Sequence, residues 1–293
     1  MTVSPPDGSR DRRIEDPTNL WLIHPAARAL LSPCIAAGIP ANAVSVAGLL
    51  LGIGAAACYA HWTQPVAVLA GLALSVAWLI ADGLDGMIAR ATGTASATGR
   101  FLDGVCDHGV FIIIYMTLAG TLGDVVSWTL AITAGACHII QSALFEGERA
   151  RFHRRARGIA LLAPPPLVAD SPWLVRGYDR LAGLPGRLGP GFEHLLARAP
   201  DPVMLGARYA AQAVPAMRIQ SLLSANMRVW LIAAACLLGS PRLFWWAEIV
   251  VLSLVAAAGL ILHRRAERQF LQSTAAARGD WAPALPTVTT RDR

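Results

Sequence analysis

The chain has 293 residues, of which 55% are hydrophobic and only 15% are charged, and its mean hydropathy is +0.48. A soluble domain is about a quarter charged, so this composition excludes an ordinary soluble protein and favours an integral membrane protein. The net charge is +6, and arginine supplies all of the basic side chains counted in it, because the chain has no lysine. No zinc-finger or RNA-binding signature is found in the sequence. We therefore expect arginine-rich loops beside a membrane and no nucleic-acid partner.

The first part of the chain is polar and then becomes apolar. Residues 1–17 predict a disordered cytoplasmic tail, because a signal peptide would start with basic residues and an early apolar core. Residues 18–37 are apolar but short, and Pro25 and Pro33 interrupt them. They predict a helix lying in the membrane interface, with Trp21 at the level of the headgroups.

Six apolar stretches follow, each long enough to cross a bilayer, which takes about 20 residues of helix. They cover residues 41–60, 66–90, 99–122, 125–145, 219–238 and 243–262. Residues 146–217 predict a cytoplasmic insertion with short amphipathic pieces such as 192–199, and residues 263–293 a polar cytoplasmic tail. The sequence thus predicts an all-α integral membrane domain over residues 18–262, with six transmembrane helices preceded by an interfacial amphipathic helix.

Arginines cluster after the second, fourth and sixth stretches. By the positive-inside rule these loops and both termini lie in the cytoplasm. The cluster from Arg149 to Arg157 is interpreted as a topology signal and a contact with anionic lipids. We expect a protein of the bacterial-type inner (cytoplasmic) membrane, with its active site facing the cytoplasm.

Four aspartates stand at the cytoplasmic ends of spans two and three: Asp82, Asp85, Asp103 and Asp107. Spacings of three and four residues place each pair on one face of its helix. Four carboxylates in a low-dielectric site need a counter-charge, and oxygen ligands suit Mg²⁺, Mn²⁺ or Ca²⁺ rather than zinc. Two such cations about 4 Å apart could clamp phosphate oxygens. A proton relay or the ion site of a transporter stays open at this point.

The residues between the two pairs favour phosphate chemistry. Arg90 lies five residues beyond Asp85, where a planar guanidinium could bind a phosphate through two hydrogen bonds. Gly86 and Ala89 leave the helix surface bare, so that a diphosphate could approach the backbone. The pattern predicts a metal-assisted phosphoryl-transfer site that opens to the cytoplasm.

This segment resembles the signature of the CDP-alcohol phosphotransferase family, D-x2-D-G-x2-A-R-x8-G-x3-D-x3-D. The matching residues are Asp82, Asp85, Gly86, Ala89, Arg90, Gly99, Asp103 and Asp107. The resemblance implies six spans, a preceding interfacial helix and a homodimer. It also implies that a substituted phosphate passes from a CDP-linked alcohol to an acceptor alcohol, with release of CMP.

The resemblance further implies a role for each aspartate. Asp82, Asp85 and Asp103 would hold two Mg²⁺ or Mn²⁺ ions, and Asp107 would contact one ion and act as the general base on the acceptor hydroxyl. The family's T-P-N-x2-T element corresponds here to residues 40–45, with the proline displaced by one position. The expected contacts to the CDP donor are Asn42, Ser45, Gly86, Ala89, Arg90, Ser96 and Gly99. Helix capping is the alternative role for Asn42 and Ser45.

Several alternatives remain from the sequence. CDP-diacylglycerol is the first expectation for the donor, and a small soluble CDP-alcohol is the alternative; a cation-coupled transporter and an inactive scaffold are further readings. Arg228 lies inside span five and could bind an anionic substrate together with Arg218, or both could line the membrane interface. We expect packing or structural roles for the histidines His24, His108 and His138.

Overall fold

A computed structural model describes residues 11–95, 97–162, 176–177, 180–184 and 191–279, without the side chains of residues 97–103, 105 and 275–279. The described residues form helices and no strands. The α-helices among them, in chain order, are α1 (His24–Ala36), α2 (Ala41–Tyr59), α3 (Pro65–Ala91), α4 (Ala97–Leu122), α5 (Val125–Ala156), α6 (Gly191–Ala197), α7 (Pro202–Gln220), α8 (Ala225–Leu237), α9 (Arg242–Trp246) and α10 (Ser253–Gly279).

Short irregular helices join or precede some of these elements. A π-helical turn at Asn19–Ile23 leads into α1, and a second one at Ala247–Leu252 joins α9 to α10. A 3₁₀ turn at Ser221–Leu223 separates α7 from α8.

Four described stretches are long and apolar enough to cross a membrane: Ala41–Tyr59, Pro65–Ala91, Val125–Ala156 and Arg242–Thr274. A fifth exists if α7 and α8 count as one span, which bends by 47° at the 3₁₀ turn. The predicted third span is α4, where the apolar stretch among the described side chains is the shorter Cys106–Leu122. The all-α prediction is therefore confirmed for the described residues, and these apolar helices support an integral membrane protein. The count of six spans and the interfacial position of residues 18–37 stay predictions.

Helix α5 continues well past the predicted end of span four at residue 145. Its second half packs with α6, α7 and the second half of α10 into what we call the polar extension. The extension has a core of its own, which includes Phe152, Phe192, Tyr209 and Phe270. This second core explains why a chain with so many charges stays helical here, since most helical stability comes from packing of an apolar face.

The residues before α1 pack against the start of α8. Residues 11–17 belong to the predicted disordered tail, yet Ile14 and Asp16 are buried. Asp16 accepts hydrogen bonds from the Thr18 N–H at 2.7 Å and from Ser224 Oγ at 3.1 Å. Residues 1–10 and 280–293 of the predicted tails lie outside the described residues.

Candidate active site

Glycines allow α2 to pack closely against α3. A Cβ on Gly48 would lie 3.3 Å from Trp78 Cδ1 and 3.4 Å from Ala81 Cβ. At the end of α2, the Tyr59 ring would lie 3.1 Å from a Cβ on Gly71 in the first half of α3. Small residues are the usual means of bringing helix backbones together in membranes. The order of these contacts makes the two helices antiparallel, so the start of α2 lies beside the end of α3.

Helix α4 packs on another side of α2 and runs in the same direction. A Cβ on Gly52 would lie only 2.7 Å from Val110 Cγ1, so this contact requires a glycine. Farther along, Trp62 Nε1 donates a hydrogen bond to Thr121 Oγ1 at 3.2 Å. The end of α3 and the beginning of α4 therefore lie at the same end of the helix bundle, where the two predicted aspartate pairs are found.

The first pair sits on the last turns of α3. Asp85 is buried and accepts a hydrogen bond from Ser45 Oγ on α2 at 2.5 Å. Asp82 is half-buried one turn earlier. Between them, Gly83 faces α1, where an added Cβ would meet Ala27 Cβ at 3.8 Å. Asp85 thus points into the α2–α3 contact, and a glycine keeps α1 close to this part of α3.

The second pair is described only in part. Asp107 is half-buried on α4, one helical turn before Val110, which places it near the level of Gly48 on α2. The backbone of Asp103 lies in α4 one turn earlier, and its side chain lies outside the described residues, as does Ser96. Gly99 belongs to the first turn of α4.

Arg90 folds back over the glycine of the motif. Its Nη1 lies 3.2 Å from the position that a Cβ on Gly86 would take, so any larger residue there would displace the guanidinium. Arg90 is exposed, and Ala89 beside it is half-buried. The helix surface predicted to be bare is thus covered in part by the arginine itself.

Asn42 and Ser45 differ in their surroundings. The N-cap position of α2 is Pro40 and makes no side-chain hydrogen bond, so neither residue caps the helix. Asn42 is exposed on the first turn, whereas Ser45 is buried against Asp85. Only Asn42 is positioned to reach a ligand from solvent without a rearrangement.

The aspartates at this end of the bundle carry the type of donor atom that hard divalent cations prefer. Asp82, Asp85 and Asp107 supply carboxylates, and Mg²⁺ and Mn²⁺ prefer such oxygen donors. Among the residues that the structure describes, no group of three or more acidic, histidine or cysteine residues is assembled as a metal site. The side chain of Asp103 is not among those residues.

Residues 39–159, which contain α2 to α5, match the family model of the CDP-alcohol phosphatidyltransferases. We name this segment the phosphatidyltransferase domain, after the family whose model it matches. It contains both aspartate pairs, Arg90 and the Ser45–Asp85 hydrogen bond. The resemblance drawn from the aspartate motif is therefore confirmed.

One relative extends the comparison to a whole protein. The archaetidylinositol phosphate synthase of Pyrococcus horikoshii is 33% identical over 124 residues, which are 42% of this chain and 63% of the relative. The match thus covers less than two thirds of that enzyme. The second half of this chain lies outside the matched family segment.

Beyond the phosphatidyltransferase domain, Arg228 on α8 forms a buried ion pair that the sequence interpretation missed. Its Nε lies 3.0 and 3.1 Å from the two carboxylate oxygens of Glu248, and both residues are fully buried. Its Nη2 donates to Gln141 Oε1 at 2.8 Å, and its Nη1 donates to the Leu223 carbonyl. All three guanidinium nitrogens are engaged. Neither alternative left open for Arg228, binding of an anionic substrate or a position at the membrane interface, agrees with this buried pairing.

Gln141 and the π-helical turn complete this network. The Gln141 amide donates to the Glu248 carbonyl and to Ser253 Oγ, both at 3.0 Å. Tyr115 on α4 donates to Glu248 Oε2 at 3.4 Å and is 3.1 Å from His138 Nδ1. The predicted structural role of His138 agrees with this bond. The signal for the pair was present in the sequence, because Arg228 and Glu248 are opposite charges in two otherwise uncharged spans.

Most of the arginine cluster at the end of α5 is paired inside the protein. Arg151 is ion-paired with Glu148, and Arg155 with Glu193 on α6 at 2.8 Å and with Glu267 on α10. Both arginines are buried. Their interpretation as contacts to anionic lipids is therefore wrong, and they instead connect α6 and α10 to the second half of α5.

Glu193 connects α6 to the second half of α5. Arg154 donates to its two oxygens at 2.6 and 2.7 Å, and the Leu161 N–H donates at 2.7 Å. Burial by itself raises the pKa of Glu193, but these hydrogen bonds and the charge of Arg155 lower it to about 2. The carboxylate is therefore ionised, and the connection intact, at neutral pH.

Proposed function

We propose that this protein is a membrane enzyme that transfers a substituted phosphate from a CDP-linked lipid to an acceptor alcohol and releases CMP. The observation that carries the proposal is the position of the aspartates. Helix α2 holds the last turns of α3 and the first half of α4 at one end of the bundle. The same helices belong to the phosphatidyltransferase domain.

Asp82, Asp85, Asp103 and Asp107 would hold the divalent cations on which this family generally depends. Bound Mg²⁺ or Mn²⁺ neutralises the charge of the donor's diphosphate and of the crowded carboxylates. The half-buried Asp82 and Asp107 are reachable from solvent, whereas Asp85 is fixed in the α2–α3 contact. We expect two ions, as in the family that the motif resembles.

The chain's own residues account for the remaining steps. The exposed guanidinium of Arg90 would bind diphosphate oxygens of the donor, together with Gly86, Ala89, Ser96, Gly99 and Asn42. Asp107 would take the proton of the acceptor hydroxyl, whose oxygen forms a bond to the β-phosphorus. The bond between that phosphorus and the bridging oxygen breaks, and CMP leaves with the bridging oxygen.

A lipid donor is the form of the proposal that we favour. The site lies at one end of a bundle in which several helices are long and apolar enough to cross a membrane. A relative of part of this chain bears the name of an enzyme that makes a phospholipid. We accordingly expect CDP-diacylglycerol or a related CDP-lipid as donor. We further expect a bacterial-type inner membrane, a cytoplasmic active site and a homodimer.

A donor and acceptor panel tests this proposal. Purified protein in detergent is incubated with Mn²⁺, with CDP-diacylglycerol or a small CDP-alcohol, and with serine, inositol phosphate, glycerol phosphate or choline, and CMP release is measured. We expect release with the lipid donor and one class of acceptor. Release with small CDP-alcohols alone would refute the lipid donor, and no release with any pair would refute the enzyme itself.

A further inference from the structure

The buried hydroxyl of Ser45 makes one short hydrogen bond to the motif. Its Oγ lies 2.5 Å from Asp85 Oδ2 and 3.3 Å from the carbonyl of Ala41 in its own helix. A serine hydroxyl has a single proton to donate. Because a carboxylate is the stronger acceptor and lies much closer, the proton points to Asp85.

The surroundings of this bond exclude water and hold the two side chains together. Ser45 and Asp85 are 7% and 4% exposed, so solvent can hardly compete for either partner. Val44, Leu84 and Ile88 belong to the apolar cluster around them. One turn along α2, Gly48 permits the close approach of the helices that lets two short side chains meet.

We propose that Ser45 is a positioning residue that orients the Asp85 carboxylate for divalent-cation binding. This inference rests on the proposed function, and it gives Ser45 a different role from the donor contact that the sequence predicts. The hydroxyl fixes the rotation of the carboxylate plane, so that the cation meets an already oriented ligand. Loss of such an outer partner of a metal ligand typically lowers metal affinity or activity by about 10- to 100-fold.

Mn²⁺ binding to the purified protein without donor tests the proposal independently of turnover. Free Mn²⁺ is measured by electron paramagnetic resonance during a titration of wild type and of Ser45→Ala. We expect the Kd of the variant to rise by about 10- to 100-fold. Ser75→Ala is the matched control, because Ser75 is also buried but donates its hydroxyl to Gly71 in its own helix at 2.8 Å. Its Kd should stay at the wild-type value.

A second pair of variants separates the hydroxyl from packing and from folding. Thr and Val have nearly the same shape, so Ser45→Thr should retain tight Mn²⁺ binding and Ser45→Val should lose it. Equal affinities in these two variants would overturn the proposal. So would an unchanged Mn²⁺ Kd in Ser45→Ala together with a raised KM for the CDP donor, because that result would make Ser45 a donor contact.

The outcomes also distinguish this inference from the proposed function. If the wild type binds Mn²⁺ and releases CMP but the Ser45 variants bind equally well, only the role of Ser45 fails. If the wild type releases no CMP with any donor and acceptor, the proposed function fails whatever Ser45 does to Mn²⁺ binding.

Discussion

Removing one partner of the buried Arg228–Glu248 pair should destabilise the protein severely. Arg228→Met keeps most of the side-chain volume but removes the hydrogen bonds at 3.0 and 3.1 Å that compensate the Glu248 carboxylate. Tyr115 at 3.4 Å is then its remaining side-chain donor in the network described above. Breaking a buried pair in this way costs about 3–5 kcal/mol, which is two to four orders of magnitude in the unfolding equilibrium.

The double variant Arg228→Met/Glu248→Met should recover more than half of that loss, because it leaves no uncompensated buried charge. Equilibrium unfolding in mixed detergent micelles measures both variants. Arg242→Met is the matched control: Arg242 pairs with Asp124 at 2.5 Å, but both side chains are about 40% exposed, and exposed pairs contribute little. The reasoning would be refuted if Arg228→Met were no less stable than Arg242→Met. It would also be refuted if the double variant were less stable than Arg228→Met.

Three further predictions concern the packing of α2 against α4, the ion pairs of Glu193 and the binding of the CDP donor. Gly52→Ala should sharply lower stability and activity, because the added Cβ would overlap Val110. Gly120→Ala is the control and should change neither, because its Cβ would meet nothing within 4 Å. Thermal unfolding compares the stability of the two variants. The pKa of Glu193 is lowered from 4.5 to about 2, so its stabilising contribution is complete above about pH 4.5 and is lost as the pH falls towards 2. The Tm difference between wild type and Glu193→Gln should therefore shrink between pH 6 and pH 3. A Tm difference that stays constant over this range would contradict the ion pairs assigned to Glu193. Arg90→Lys should raise the KM for the CDP donor, because an ammonium cannot form the paired hydrogen bonds of a guanidinium; an unchanged KM would remove Arg90 from the donor site.

The sequence predicted the helices that carry the aspartate motif better than the contacts between those helices. The spacing of the aspartates and the apolar runs on either side were enough to place α3 and α4, because both signals are local in the chain. The antiparallel and parallel contacts of α2 depend on Gly48 and Gly52 meeting residues far away in sequence. No periodicity reveals which helix such a glycine faces.

The polar extension escaped prediction for a related reason. Arg155 has the sequence pattern of an exposed charge, because its partners Glu193 and Glu267 are distant in the chain. Likewise, the role expected for Ser45 came from a motif position, and only the fold reveals that its hydroxyl meets Asp85. Local patterns thus predict helices, whereas pairings across the bundle require the three-dimensional structure.

The most direct test of the central claim compares one aspartate in the first half of α4 with another just beyond its C-terminal end. Asp107 is the proposed base, while Asp124 follows the end of α4 and caps α5 by accepting from the Ser127 N–H at 3.0 Å. With a CDP-lipid donor, Mn²⁺ and the active acceptor, Asp107→Asn should lower CMP release by about 10²- to 10⁴-fold, the usual contribution of a general base. Asp124→Asn should release CMP close to the wild-type rate. Full activity in Asp107→Asn would contradict the proposed mechanism.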